Sequence, residues 1–392
     1  METVAIIPAR GHSKGILRKN LRILAGKPLV AHSIEVALSS RIINRVIVST
    51  DDPEIESVSK KYGASVIIRP AELSSDTSSS EDAILHTLAE LEKKDDYHSD
   101  LTVFLQCTSP LTKTVDIDSC IKLLIDQKAD TALTVSDFHY FIWKKDKNGQ
   151  AAGINHDKSI RNMRQERQNQ FIETGAVYVM RTKGFKLHRH RFFGKTVMSH
   201  VPLERCLEID ELVDLYKAEA IINIERSKEN LEKLPQHIKA LILDFDGVFT
   251  DNRVIVDQKG NEAVICSRGD GMGLEKIKKK GIKIAVMSTE KNPAVQTRCQ
   301  KLGIECFHSL DRKDICMKNW LNKANINRQE TIYVGNDIND LECMSIAGCS
   351  VAVHDAHRDV INAANIVLSS KGGQGAIREL TELLEKKLGG NP

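Results

Sequence analysis

Residues 240–251 read Ala-Leu-Ile-Leu-Asp-Phe-Asp-Gly-Val-Phe-Thr-Asp. A short apolar run that breaks at once into carboxylates at i and i+2 is the pattern of a buried strand ending in a polar loop. By itself Asp244-x-Asp246 reads as a turn. Later apolar runs end in matching chemistry: 283–287 leads into Ser288, Lys313 follows, and 331–334 leads into Gly335-Asn336-Asp337-Ile338-Asn339-Asp340. Residues 272–280 show helical spacing between two of these runs, so strands and helices alternate as in an α/β fold with a mainly parallel sheet.

Working back from Ala240, residues 218–238 turn helical and then strongly polar (ERSKENLEKLPQH). Upstream lies a second alternating series, with apolar runs at 4–8, 45–50, 101–106 and 132–135 and helical spacing at 29–39 and 53–62. The spacing predicts two tandem α/β domains, 1–225 and 238–392, joined by a linker at 226–237, which suits a chain of 392 residues. In open sheets of this kind ligands bind beyond the carboxyl ends of the strands, so the loops that follow strands are where chemistry is expected.

Composition narrows the partners. Lys plus Arg total 56 against 53 acidic residues, a net charge of +3 that excludes the basic excess of a nucleic-acid binder. No apolar run approaches the roughly 18 residues needed to span a bilayer. The first residues, METVAIIPARGHSKG, lack a signal peptide's basic start and longer apolar core. Nine scattered cysteines without a CxxC pair point to reduced thiols. A protein of the cytoplasm, with neither membrane nor nucleic acid as partner, is the expectation.

The C-terminal groups suit phosphoryl transfer. Of Asp244 and Asp246 one serves as nucleophile and the other as acid or base, Ser288 hydrogen-bonds a phosphoryl oxygen, Lys313 neutralises phosphate, and 335–340 offers hard oxygens to Mg²⁺. These motifs, in this order over 238–384, resemble the haloacid dehalogenase superfamily, and within it the small tetrameric sugar-acid phosphatases that act on octulosonate 8-phosphate or nonulosonate 9-phosphate. The resemblance implies Asp244 as nucleophile, Asp246 as general acid, Ser288 and Lys313 on the phosphoryl group, and Asp337 joining Asp244 and Asp246 at Mg²⁺. It implies a HAD-like domain without a large cap, in whose place 253–266 reads as a β-hairpin turning at Lys259-Gly260-Asn261. Asn336 stands where relatives often have an acid, and Thr289-Glu290 where they usually have Gly-Arg. The segment 371–378, ending in Arg378, is similar to a tail that reaches a neighbouring subunit's substrate site; a loop before a last helix is the other reading. Gly269, Gly271 and Gly273 follow no strand and read as a hinge before a helix rather than a dinucleotide loop.

After the first apolar run come Arg10, Ser13, Lys14, Gly15, Lys19 and Asn20. Cations and backbone amides at a strand's carboxyl end suit a triphosphate, although GxxxxGK[ST] is absent. The string ARGHSKGILRKN resembles the signature of CMP-sialic acid synthetases. The same family's motifs recur at Arg69-Pro70-Ala71-Glu72 with Asp76 and Ser80, at 106–111, at Arg164-Gln165, at 174–178 and at Glu208-Ile209-Asp210, covering 4–222. The resemblance implies a nucleotide-diphospho-sugar-transferase-like, mainly parallel sheet. It also implies Arg10, Lys14 and Lys19 on the CTP phosphates, with Ser13, Asn20, Arg69 and Ser80 around the nucleotide. Gln106, Tyr178 and Arg164 would meet the sugar acid, and Phe192-Phe193 would reach across a dimer to its acyl side. Glu208 and Asp210 would hold Mg²⁺. Leu17 replaces the family's usual proline and Glu208 its usual first aspartate.

The expected protein is thus a homotetrameric, Mg²⁺-dependent enzyme that transfers CMP from CTP to a nonulosonic acid, free or released from its 9-phosphate by the second domain. Two alternatives stand beside it: a second domain that is a silent tetramerisation module, and an octulosonate cytidylyltransferase fused to its 8-phosphate phosphatase.

Overall fold

The computed structural model describes residues 1–392 except 13–14, 75–77, 161–162, 164, 166–168 and 390–392. The chain divides into two compact units, Met1–Asn223 and Ile224–Pro392.

The first unit is built on seven strands: β1 (Thr3–Pro8), β2 (Arg45–Thr50), β3 (Ser65–Ile68), β4 (Leu101–Leu105), β5 (Thr131–Phe138), β6 (Gln170–Arg181) and β7 (Thr196–His200). Their order across the sheet is β7-β5-β6-β4-β1-β2-β3. All pairings are parallel except those of β6, which runs antiparallel to both β4 and β5. Alternation along β1 shows why the sheet needs cover on both faces: Ala5 and Ile7 join one apolar layer, Val4 and Ile6 another. Helices α1 (Leu29–Leu38), α2 (Pro53–Lys61) and α4 (Thr114–Asp126) supply Ile34, Ile55 and Ile121 to the first layer. Helices α3 (Ser80–Asp95) and α5 (Thr182–His188) supply Leu88 and Phe185 to the second. β1 has β2 on one side and β4 on the other, so the chain leaves the sheet in opposite directions there and a crevice opens at their carboxyl ends.

The stretch 226–237, read as a linker, is helical for most of its length, because α6 (Leu212–Lys233) runs through it.

The second unit carries β8 (Ala240–Leu243), β9 (Lys283–Met287), β10 (Glu305–Phe307), β11 (Thr331–Gly335), β12 (Cys349–Ala352) and β13 (Ile366–Val367), all parallel, in the order β10-β9-β8-β11-β12-β13. Leu241 and Leu243 face α7 (Arg268–Lys279), α8 (Pro293–Leu302) and, at the end of the chain, the helix Ala376–Leu388. Ala240 and Ile242 face α9 (Lys313–Ala324), α10 (Leu341–Ile346) and α11 (Arg358–Ala363). The final helix is α12. After β8, the expected hairpin is short: Ile255–Val256 pairs with Glu262–Ala263 around Gly260, whose φ is +80°.

Gly269, Gly271 and Gly273 lie inside α7, not in a hinge ahead of it. Ser267 caps the helix by accepting from the Asp270 N–H (3.3 Å). The reason for glycine is contact: a Cβ on Gly273 would stand 2.1 Å from Thr381 Oγ1, so α7 and α12 touch there. All nine cysteines are free, and among the described residues no helix is long and apolar enough to cross a membrane.

Alanine in place of a mid-helix glycine would by propensity alone stabilise by about 1 kcal/mol. At Gly273 the contact reverses the sign: Gly273→Ala is expected to destabilise by about 1–3 kcal/mol in urea unfolding, and Thr381→Ala added to it should recover most of that loss. A stabilised single variant would contradict the close approach of the two helices.

Candidate active sites

In the first unit a cleft of about 620 Å³ opens beyond β1 and β4. Arg10, Lys19, Asn20, Arg69, Ser80, Gln106 and Asp210 line it, so most of the residues expected around a nucleotide meet in one place. Ser13, Lys14, Asp76 and Arg164 lie outside the described residues. Local hydrogen bonds explain how the loop after β1 reaches this position. The Gly11 N–H donates to Asp51 Oδ1 (2.9 Å) and Asn20 Nδ2 to the Arg10 carbonyl (2.9 Å), folding the loop over the ends of β1 and β2.

Lys19 ties that loop to the acidic segment 208–210. Its Nζ donates to the Ile209 carbonyl (2.6 Å) and lies 3.2 Å from Asp210 Oδ1. Gly15 is pressed against the same segment, where a Cβ would be 2.7 Å from the Asp210 carbonyl oxygen. Asp214 then receives the N–H groups of Asp210 (3.2 Å) and Glu211 (3.0 Å). Glu208 Oε1 accepts from Gln106 Nε2 (3.2 Å) and Thr108 Oγ1 (3.0 Å), and Gly175, at φ +69°, leaves room for its other oxygen. Arg69 is buried with an unpartnered Nε. Burial lowers its pKa, Asp51 opposes this and Arg10 adds to it. A buried guanidinium with an idle donor beside a second arginine is matched to an anionic or carbonyl-bearing ligand.

Tyr178, Phe192 and Phe193 are not among the cleft-lining residues. Tyr178 is buried, stacked on Phe104 (5.3 Å between centroids), with its hydroxyl donating to Glu173. Phe192 meets the Tyr178 ring edge-on at 5.9 Å, and Phe193 stacks on His188 at 5.1 Å.

In the second unit a pocket of about 340 Å³ is lined by Asp244, Asp246, Ser288, Thr289, Asn336 and Asp337 among others. Behind it Lys313 Nζ sits 2.8 Å from Asp244 Oδ1 and 2.8 Å from Asp340 Oδ1, all three groups buried. Asp340, given no individual role in the expected site, is a hub. It accepts from the Tyr333 hydroxyl (2.7 Å) and from the N–H groups of Asn336 (2.9 Å) and Asp337 (3.2 Å). Burial, then Asp340, push the Asp244 carboxyl up, to about 7, against the pull of Lys313. Burial lowers the Lys313 pKa, but the two carboxylates outweigh it and the group stays charged. Asp246 is raised by burial and then by Glu290.

Among the described residues no three His, Cys, Asp or Glu side chains form a ready metal cage. Mg²⁺ needs only one or two carboxylates and keeps several waters. Asp244 and Asp337 with the buried, unpartnered Asn336 Oδ1 fit that requirement. The 371–375 segment lies on the loop after β8 of its own unit. The Gly373 N–H donates to the Val248 carbonyl (3.0 Å), and a Cβ on Gly372 would be 1.9 Å from the Gly247 oxygen. It is the loop before α12, and Arg378 on that helix pairs with Glu382 (2.7 Å) away from the pocket lining.

Cations and carboxylates gathered at a nucleotide-sized crevice, with a second phosphoryl-type pocket downstream, define a nucleotidyltransferase joined to a hydrolase-like domain. Residues 4–246 match the Cytidylyltransferase family model, and 275–380 match the haloacid dehalogenase-like hydrolase model. N-acylneuraminate cytidylyltransferase from Oncorhynchus mykiss is 31% identical over 98% of this chain and 89% of its own length, and N-acylneuraminate cytidylyltransferase A from Danio rerio 30% over the same shares. The 3-deoxy-D-manno-octulosonate 8-phosphate phosphatase KdsC from Haemophilus influenzae is 34% identical over 38% of this chain and 83% of its own. The chain belongs to the N-acylneuraminate cytidylyltransferase family and carries a HAD hydrolase-like domain.

Lys313→Ala leaves Asp244 and Asp340 buried against each other without a counter-charge. It is expected to lower the unfolding free energy at neutral pH by about 3–5 kcal/mol, read from denaturant unfolding. A loss under about 1 kcal/mol would contradict the place given to this lysine.

Proposed function

We propose that the first domain transfers CMP from CTP to the anomeric hydroxyl of a nonulosonic acid, releasing pyrophosphate. The observation that carries this reading is the meeting, across one cleft, of Arg10, Lys19 and Arg69 with Asp210. Arg10 and Lys19, with Lys14 from the same signature, hold the triphosphate and stabilise charge on the leaving pyrophosphate. Ser13, Asn20, Arg69 and Ser80 seat the nucleotide, while Gln106 faces the acid, Arg164 is assigned to its carboxylate, the Phe192-Phe193 pair is assigned to its acyl side across a dimer, and Tyr178, buried behind the cleft wall, supports the site from within. The sugar hydroxyl attacks the α-phosphorus, the bond to the β-phosphate oxygen breaks, and the hydroxyl proton passes to water. Glu208 and Asp210 would hold Mg²⁺, which when bound withdraws charge from the reacting phosphate.

The second domain, in this reading, removes phosphate from the 9-position of the same acid. Asp244 attacks phosphorus while the bond to the sugar oxygen breaks, and Asp246 protonates that oxygen, a role its raised pKa favours. Water then displaces the aspartyl group, returning its proton to Asp246 and freeing phosphate. Ser288 and Lys313 hold the phosphoryl oxygens; Asp244 and Asp337, with Asn336, would provide the Mg²⁺ site. The enzyme is taken to act as a homotetramer.

Two substitutions separate the sites. Asp210→Asn is expected to lower CMP transfer more than about tenfold, over 1.4 kcal/mol of barrier, while phosphate release from a 9-phosphorylated acid persists. Asp244→Asn is expected to do the reverse. If wild type frees no phosphate from any 9-phosphorylated nonulosonate or 8-phosphorylated octulosonate, the second domain is a silent module. Preference for the eight-carbon acid would reassign the substrate.

Light scattering should find the intact chain tetrameric. A monomer would exclude the proposed assembly.

A further inference from the structure

Residues 189–193 read Arg-His-Arg-Phe-Phe, and this segment docks on the first turn of α3 by charge. Arg191 donates from Nε to Glu81 Oε1 (2.6 Å) and from Nη2 to Glu81 Oε2 (3.1 Å). Arg189 Nη2 donates to Asp82 Oδ1 (3.2 Å). The Arg191–Glu81 pair is largely buried, with side chains 20% and 13% exposed, whereas Arg189 and Asp82 are open to solvent at 67% and 41%. The Arg191 guanidinium also covers two rings, 4.9 Å from the centroid of Phe104 and 4.6 Å from that of Tyr178.

The place of Glu81 makes this pairing consequential. Ser78, Ser79, Ser80 and Phe104 line the cleft, and Ser79 Oγ caps α3 by accepting from the Asp82 N–H (3.1 Å). Burial pushes the Glu81 carboxyl up, but Arg191 more than offsets it, so Glu81 is ionised one residue from a wall that faces a polyanion. Uncompensated, that charge would repel phosphate and cancel the favourable potential of the helix N-terminus.

We propose that Arg191 is a positioning residue for the nucleotide: it neutralises Glu81 and locks the first turn of α3 against the Phe104–Tyr178 rings, so that Ser80, at the cleft-lining start of α3, presents its donor to a nucleoside triphosphate. This rests on reading the first domain as a CTP-dependent transferase. It gives the segment before Phe192 a role on the nucleotide side of the cleft, in addition to any contact its phenylalanines make with the sugar acid.

The test uses the full-length protein, CTP and Mg²⁺, with calorimetric CTP binding and steady-state kinetics at low and high ionic strength. In Arg191→Gln, Kd and KM for CTP should rise roughly tenfold at low salt, with KM for the sugar acid little changed, and the effect should shrink as salt screens Glu81. Adding Glu81→Gln should restore most of the CTP affinity, because it removes the charge that Arg191 had balanced. Arg191→Lys, which keeps the charge without the two-pronged contact, should fall between wild type and Arg191→Gln. A purely structural role predicts neither the salt dependence nor the rescue. An Arg191→Gln protein that binds CTP like wild type, or a double variant no better than the single, overturns the proposal, and Arg191→Lys provides the same comparison if the glutamine variant does not fold. Wild type that binds no CTP overturns the reading of the domain itself.

Discussion

In each half of the chain a lysine reaches from one segment to the acidic groups of another, and the geometry of both sites depends on that contact. Lys313 holds Asp244 and Asp340 from separate strand ends at 2.8 Å each, in surroundings that exclude water. Lys19 joins the first loop to Ile209 and Asp210 in a more open setting. Carboxylates brought this close to one another separate unless a cation lies between them, so the ammonium is a condition for the site to exist as well as a group for chemistry. The difference in burial sets the consequences: the Lys313 cluster bears on the stability of its domain, whereas Lys19, beside a largely exposed Asp210, acts mainly on the placement of a loop.

The sheets explain why these groups meet at all. In both units the strands that bear the chemistry run parallel and adjacent, β1 beside β4 and β8 beside β9 and β11, so their carboxyl ends open onto a common edge. β6, antiparallel within the first sheet, adds a bulged segment at Thr174–Val177 that lets Gly175 approach Glu208 and Gln106. The second domain achieves a similar close fit with Gly372 and Gly373, which lie directly on the loop after Asp246.

Much of this was legible in the sequence. Apolar runs such as 240–243 and 331–334 mark central strands because both faces of a parallel sheet are buried, and the carboxylates that follow stand out against them. The Asp244, Ser288, Lys313 and Asp337 constellation could be ordered along the chain without coordinates. What stayed hidden depends on contacts between distant segments. Asp340 reads as one more acid in Asn-Asp-Ile-Asn-Asp until its partners Tyr333 and Lys313 are seen. The glycines of α7 look like a hinge because the contact that requires Gly273 comes from α12, far along the chain. Arg191 pairs across 110 positions with Glu81, and no local pattern announces such a pair. Tyr178 shows the converse: its motif is plain, but burial against Phe104 and Glu173 keeps it off the cleft wall.

If both sites act as proposed, a single chain carries two phosphorus reactions in series, hydrolysis of a phosphate ester and then formation of a CMP ester on the freed sugar acid. Phosphorus-31 magnetic resonance follows both in one tube containing the full-length protein, Mg²⁺, CTP and a 9-phosphorylated nonulosonic acid. The monoester signal is expected to give way to inorganic phosphate while CTP is converted to pyrophosphate and a CMP phosphodiester bearing no 9-phosphate. A CMP phosphodiester that retains the 9-phosphate, with no inorganic phosphate released, would contradict the proposed series.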